Sequence, residues 1–322
     1  MKIKTLHIKF FIISLISIIP LAMQGGFADS QVYYEQAVYT WANGLKEGIL
    51  GVYEQTGKLE FGMQILFYFE GVFSQNKIYF IIVNCMIVNF CLYSILLKSH
   101  DSNNIVIKST TLFLLFFSYF IYSNTLYVWR TVLALYFFYL CIRSSEKNKR
   151  VFFLIVSVTF HYTAVLFALL YYIARYLPNK KLNNILLVFV IIIFSYIIIN
   201  NFSVIKYFVS GGNETIFLQP EGEYIKRLII NFSFLIVLLL TSTQNFDRNM
   251  FNLFKMCILL CALSIVFFNN WQLSWRLFAP SALLGIPLIL AYNKNNYAVI
   301  IIAASILPSI KLMALLLQGL SP

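Results

Sequence analysis

Three arginines, one histidine and a few carboxylates sit where an otherwise apolar chain has least reason to keep them. Arg130 opens an apolar block after Asn124-Thr-Leu-Tyr-Val-Trp129, Arg227 opens another after a Gly-rich loop, and Arg276 a third after Asn269-Asn-Trp-Gln-Leu-Ser-Trp275. An Arg at the centre of a helix in hydrocarbon costs about 2.5–3.5 kcal/mol on insertion scales, so each of the three needs a reason. One reason is chemical, because a guanidinium offers a planar fork of donors suited to phosphate. Another is bland, because an Arg near a span end can simply reach water. His161 is the histidine set deep in an apolar block, whereas His7 and His100 stand in basic flanks. An imidazole there can transfer a proton, bind a ligand, or only hydrogen-bond a neighbour such as Tyr162 or Thr163.

The carboxylates divide by position. Glu223 precedes Arg227 by four residues, the spacing of a helical ion pair, and an acidic residue at a helix start is also favoured by the dipole. Asp29, Glu35, Glu60 and Glu70 fall in or near the first polar stretch. One of them can be a general base, and nothing in their spacing selects it. The chain carries no D-x-D, no Walker A loop, no G-x-S-x-G and no H-E-x-x-H, which argues against ATP hydrolysis, serine hydrolysis and zinc proteolysis.

The elements that must position these groups are membrane helices. The chain is 60% hydrophobic and 11% charged, with a mean hydropathy of +0.80. Too little polar surface remains to solvate a water-soluble fold of this length. The apolar blocks are long enough to cross roughly 30 Å of hydrocarbon, and length allows about ten crossings. The net charge of +12 comes from short clusters between apolar blocks, the pattern of topology signals and not of nucleic-acid binding. All five cysteines lie within apolar spans and read as small hydrophobes. The expectation is an all-α, polytopic transmembrane bundle forming a single domain over residues 1–322.

Along the chain, the basic start through Lys9 and the apolar run after it predict a first helix with its N-terminus inside, although a cleaved signal peptide has a similar pattern. Residues 25–60, acidic and poor in Lys, predict a larger outer loop. Residues 61–75 are apolar but short and contain Glu70, which predicts a re-entrant or in-plane helix. Spans follow near 78–97, 109–123, 127–142, 185–202, 224–243, 251–268, 273–292 and 297–317. The block 151–177 is basic at both ends and reads as two short helices meeting near His161, or as one tilted helix. Gly211-Gly212 and Pro220 mark a second larger outer loop, residues 203–223.

The stretch from Asn124 to Arg175, with Arg130 opening a span, a short basic loop after it and His161 in the next apolar block, resembles the EpsG-like branch of Wzy-type polysaccharide polymerases. The Arg276-led stretch Trp275 to Leu290 and the Glu60 to Phe69 stretch are similar in character to that family. Thr131 follows Arg130 where the family pattern carries Gln. The resemblance implies a metal-independent glycosyltransferase without a cofactor, in the bacterial inner membrane. It joins oligosaccharide repeat units carried on undecaprenyl diphosphate into O-antigen, capsule or exopolysaccharide at the outer face.

Within that frame Arg130, Arg227 and Arg276 are candidates for binding the diphosphates, offsetting the charge that develops on the leaving group. His161, Glu60 or Glu223 is the candidate base for the attacking hydroxyl. Tyr33, Tyr34 and Trp271 are candidates for stacking on sugars, with an interfacial aromatic belt as the plainer reading. A chain-length regulator is a candidate partner. The competing classes are a flippase of the same lipid-linked units and another membrane transferase such as the O-antigen ligase.

Overall fold

Helix-breaking signals divide the chain into short helices around a few long ones. The computed structural model describes residues 2–26, 29–57, 60–99, 108–125, 128–177, 221–241, 247–268, 271–292 and 296–319. Every element among them is an α-helix. Among the described residues, five stretches are long and apolar enough to cross a bilayer: Thr5–Gln24, Lys77–Ser99, Arg248–Val266, Leu273–Ala291 and Tyr297–Leu317. The chain is a multi-pass membrane protein with a polytopic helical fold. The expected span at 185–202 and most of the loop expected at 203–223 lie outside the described residues. Contacts gather the chain into two compact units, one of Met1–Ala168 with Ile302–Pro322, the other of Leu169–Ile301. No polar stretch in the sequence marks that division.

In the first unit, α1 (Lys2–Gln24) is followed by α2 (Asp29–Asn43) and α3 (Leu45–Thr56). The polar stretch expected as a loop is therefore mostly helical. Asp29 favours the start of α2 through the helix dipole, and Tyr33, Ala37 and Thr40 recur at helical spacing on its buried face. Next comes α4 (Phe61–Phe73), about 20 Å long at the helical rise and too short to cross a bilayer. Asn76 caps α5 (Lys77–Ser99), its Oδ1 accepting from the N–H of Ile78 at 2.9 Å and of Tyr79 at 3.2 Å.

Then follow α6 (Ser109–Phe117), α7 (Tyr119–Thr125) and α8 (Trp129–Arg143). Together α7 and α8 have the length and hydropathy of one span, broken with their axes 114° apart. The block after them is two helices, α9 (Lys147–Phe160) and α10 (Ala164–Ala174), with His161 extended between them at φ −157° and ψ 123°.

The second unit packs α11 (Glu221–Leu240), α12 (Arg248–Val266) and α13 (Trp271–Tyr292) against one another. Asp247 caps α12 by accepting from the Met250 N–H at 2.9 Å. The chain then continues through α14 (Asn296–Ala304) and α15 (Ile306–Leu317), and α15 packs on α1 in the first unit.

Two features identify lipid as the solvent. Ile8, Ile12, Ile16 and Ile19 form an exposed stripe along α1, and Ile225, Ile229, Phe232 and Ile236 form another along α11. Water would penalise both stripes, and hydrocarbon does not. Polar side chains join helices instead. Asn89 of α5 donates to Ser14 Oγ at 2.8 Å and Ser17 Oγ at 3.3 Å of α1. All five cysteines are buried and free.

Such interhelical bonds contribute modestly, because the unfolded chain in a membrane also finds partners. Asn89→Ala is expected to destabilise the protein by roughly 0.6–1.7 kcal/mol. Reversible unfolding in mixed micelles measures this, and an unchanged midpoint means that the bond contributes nothing.

Candidate active site

Three irregular points of the first unit converge on one carboxylate. Glu60 is the residue that precedes α4, Arg130 is the second residue of α8, and His161 occupies the break between α9 and α10. Glu60 Oε2 accepts from Arg130 Nη1 at 2.7 Å, and Oε1 meets His161 Nδ1 at 2.6 Å. The break at His161 takes the Tyr162 N–H out of the helical ladder, and it donates to Glu60 Oε1 at 3.1 Å. The partners lie 70 and 101 residues from Glu60 in the chain.

Burial grades the three side chains. That of Glu60 is 2% exposed, that of His161 13% and that of Arg130 26%. The carboxylate is thus the enclosed centre, and the guanidinium and the imidazole form its partly open rim. Burial pushes the Glu60 carboxyl up. The His161 hydrogen bond, the charges of His161 and Arg130, and the Tyr162 N–H outweigh it and hold the group below its ordinary value. Glu60 is therefore ionised at neutral pH. Beside an ionised carboxylate the imidazole carries its proton on Nδ1, which makes Nε2 the basic nitrogen.

Tyr33 fastens the arginine from below. Its hydroxyl accepts from Arg130 Nε at 3.2 Å, and the guanidinium stands 5.4 Å over its ring. The ring is 3% exposed and packs on Trp129 at 5.2 Å and Phe67 at 6.3 Å between centroids. Burial pushes its phenol up to about 12 against the opposing charge of Arg130, so it stays neutral. The sugar-stacking role expected for Tyr33 does not fit a ring so enclosed. The guanidinium is oriented by two fixed bonds and keeps further N–H donors at its partly exposed edge.

Tyr34 and Glu70 are held elsewhere in the first unit. The ring of Tyr34 packs on Phe80 and Trp41, its hydroxyl donates to the Gln75 carbonyl at 3.2 Å, and Lys77 Nζ stands 5.6 Å over it. Glu70 is buried on α4 and accepts from Asn84 Nδ2 at 2.8 Å. Arg227 and Arg276 belong to the second unit. The Arg227 guanidinium lies 5.7 Å from the ring centre of Trp275, and Arg276 is exposed on α13. Glu223 and Trp271 stand in α11 and α13, and their side chains lie outside the described residues. Sequence reasoning missed the Tyr162 N–H and the Tyr33 hydroxyl as partners. The first is a backbone donor that any residue type carries, and the helix break near His161 is its only trace.

The arrangement supplies a base held in one tautomer by a carboxylate, and a cation that holds the carboxylate. A carboxyl with a lowered pKa in the folded protein adds stability that is fully present above its ordinary 4.5 and is lost as pH falls through the lower folded value. Thermal unfolding in micelles is expected to show this loss below pH 4.5 in the wild type relative to Glu60→Gln. Parallel curves for the two proteins across that window contradict the assignment.

No curated protein and no solved structure matches the chain. The EpsG family model matches residues 6–320, nearly all of it. That match supports a polysaccharide-polymerase-like role in general terms, so the Glu60 network belongs to a multi-pass protein of this kind. The chain is a member of the EpsG family.

Proposed function

We propose that this protein is a membrane glycosyltransferase that joins undecaprenyl-diphosphate-linked oligosaccharide repeat units into O-antigen, capsular or exopolysaccharide. The reaction takes place at the outer face of the bacterial inner membrane, with a chain-length regulator as a candidate partner. Family membership supports polymerisation, and one observation carries the chemistry: Glu60 joins Arg130 and His161 in a single buried network.

In the step we propose, a hydroxyl of the acceptor sugar attacks the anomeric carbon of the donor. His161 Nε2 takes the hydroxyl proton as the new C–O bond forms. The bond from that carbon to the diphosphate breaks, and undecaprenyl diphosphate leaves with the electron pair. Glu60 stabilises the imidazolium that results, as a carboxylate behind a histidine does in other transferases and hydrolases. Arg130 keeps Glu60 ionised and in place, and its exposed edge can also face a phosphate oxygen. Arg227 and Arg276, in the second unit, are proposed as diphosphate-binding residues on their charge alone. The flat face of Trp275 limits the directions in which the Arg227 fork can point. Glu223 is not required for this step.

Purified protein in nanodiscs, supplied with lipid-linked repeat units, tests the scheme. His161→Asn and Glu60→Gln are each expected to slow chain extension by roughly 10²–10⁴-fold. Full extension by the His161 variant overturns it. In cells, loss of the gene is expected to remove the long polysaccharide ladder and leave a single capped repeat unit. Loss of every repeat unit would instead indicate a flippase or a ligase.

A further inference from the structure

We propose that Gly62 is a positioning residue for this proton transfer, setting the reach of Glu60 to His161 by leaving no side chain between α4 and α9. The inference rests on the reading of Glu60 and His161 as the base pair, and it adds a residue without ionisable or hydrogen-bonding side-chain groups.

Gly62 is buried two residues after Glu60, and Phe160 directly precedes His161. A Cβ placed on Gly62 meets the Phe160 ring at 3.0 Å (Cδ1) and 3.1 Å (Cγ), and the Phe160 backbone nitrogen at 3.1 Å. Contacts that short require one side to give way. Phe160 is poorly placed to do so. Its ring stacks on Phe137 at 5.4 Å with 5° between the planes, and the nitrogen belongs to the helix itself. One turn earlier, Ser157 Oγ donates to the Ala134 carbonyl at 2.6 Å and ties α9 to α8.

The far end of α4 is held as well. Trp41 Nε1 donates to the Phe67 carbonyl at 2.6 Å, and the indole fills the space that a Cβ on Gly71 needs. With α9 tied to α8 and the end of α4 tied to α2, a methyl at position 62 is absorbed where α4 begins. That is the position of Glu60. A give of a few tenths of an ångström lengthens the 2.6 Å contact to His161 and the 2.7 Å contact to Arg130, both now at the short end of the hydrogen-bond range, and so loosens the hold on the base. Misplacement of a reacting group by about 1 Å can cost 10²-fold in rate.

Kinetics of chain extension in nanodiscs test the proposal. Gly62→Ala is expected to lower kcat by roughly 3- to 10-fold, with KM little changed and the protein still monodisperse. Phe160→Ala in the same chain removes the obstructing ring, though not the backbone contact, and is expected to recover part of the loss. A residue that only supported folding would lose protein yield, and a second cavity would not rescue its kcat. If Gly62→Ala does not fold, Phe160→Trp closes the seam from the other side and is expected to show the same kcat loss. A wild-type rate in the variant used, or a double variant as slow as Gly62→Ala, overturns the inference. Wild-type extension by Gly62→Ala beside a slow Glu60→Gln removes only the seam, and wild-type extension by both removes the base-pair reading itself.

Discussion

A carboxylate enclosed by protein is held ionised only if cations and N–H groups reach it, and Glu60 meets that condition with three groups, one from the start of α8 and two from the break between α9 and α10. Much of the first unit's irregularity follows. A continuous α9–α10 helix would keep the Tyr162 N–H for its own ladder, so the break at His161 releases the donor that the carboxylate uses. The break between α7 and α8 puts Arg130 at a helix start, where its side chain reaches the Glu60 end of α4 and the hydroxyl of Tyr33 in α2 at once. Removing one corner leaves the remaining charges buried without balance, which costs far more than the intact network contributes.

The aromatic packing beneath serves the same end. Tyr33, Trp129, Phe67 and Phe80 form a ring cluster with centroid separations between 5.1 and 6.3 Å. Its top surface carries the guanidinium of Arg130. A flexible support would let the arginine drift to solvent, and the long side chain has ample rotamer freedom to do so. The enclosed phenol restricts it with one hydrogen bond and one ring face. In the second unit the ring of Trp275 faces the Arg227 guanidinium in a similar way.

Much of this was legible in residue types. Arg130 and His161 stand out in the sequence because apolar blocks rarely keep ionisable groups, and the two short helices around His161 follow from basic residues at both block ends. Glu60 was one carboxylate among several, because nothing local marks a residue whose partners are 70 and 101 positions away. The helices α2 and α3 were hidden by composition. They are half polar, and only the spacing of Tyr33, Ala37 and Thr40 reveals the buried face. The enclosure of Tyr33 was equally invisible, since a tyrosine in a polar stretch reads as a surface residue until its helix is packed. Division into two units leaves no mark on hydropathy at all.

The buried cysteines bear on how this membrane protein can be studied. All five thiols of the chain are enclosed and unpaired with one another. A reagent confined to water on one side of a bilayer has no native thiol to modify. A single cysteine placed in any connecting segment is then the sole target, and its labelling from one side reports sidedness directly. The wild-type background serves as its own blank, and no cysteine-free chain has to be made first.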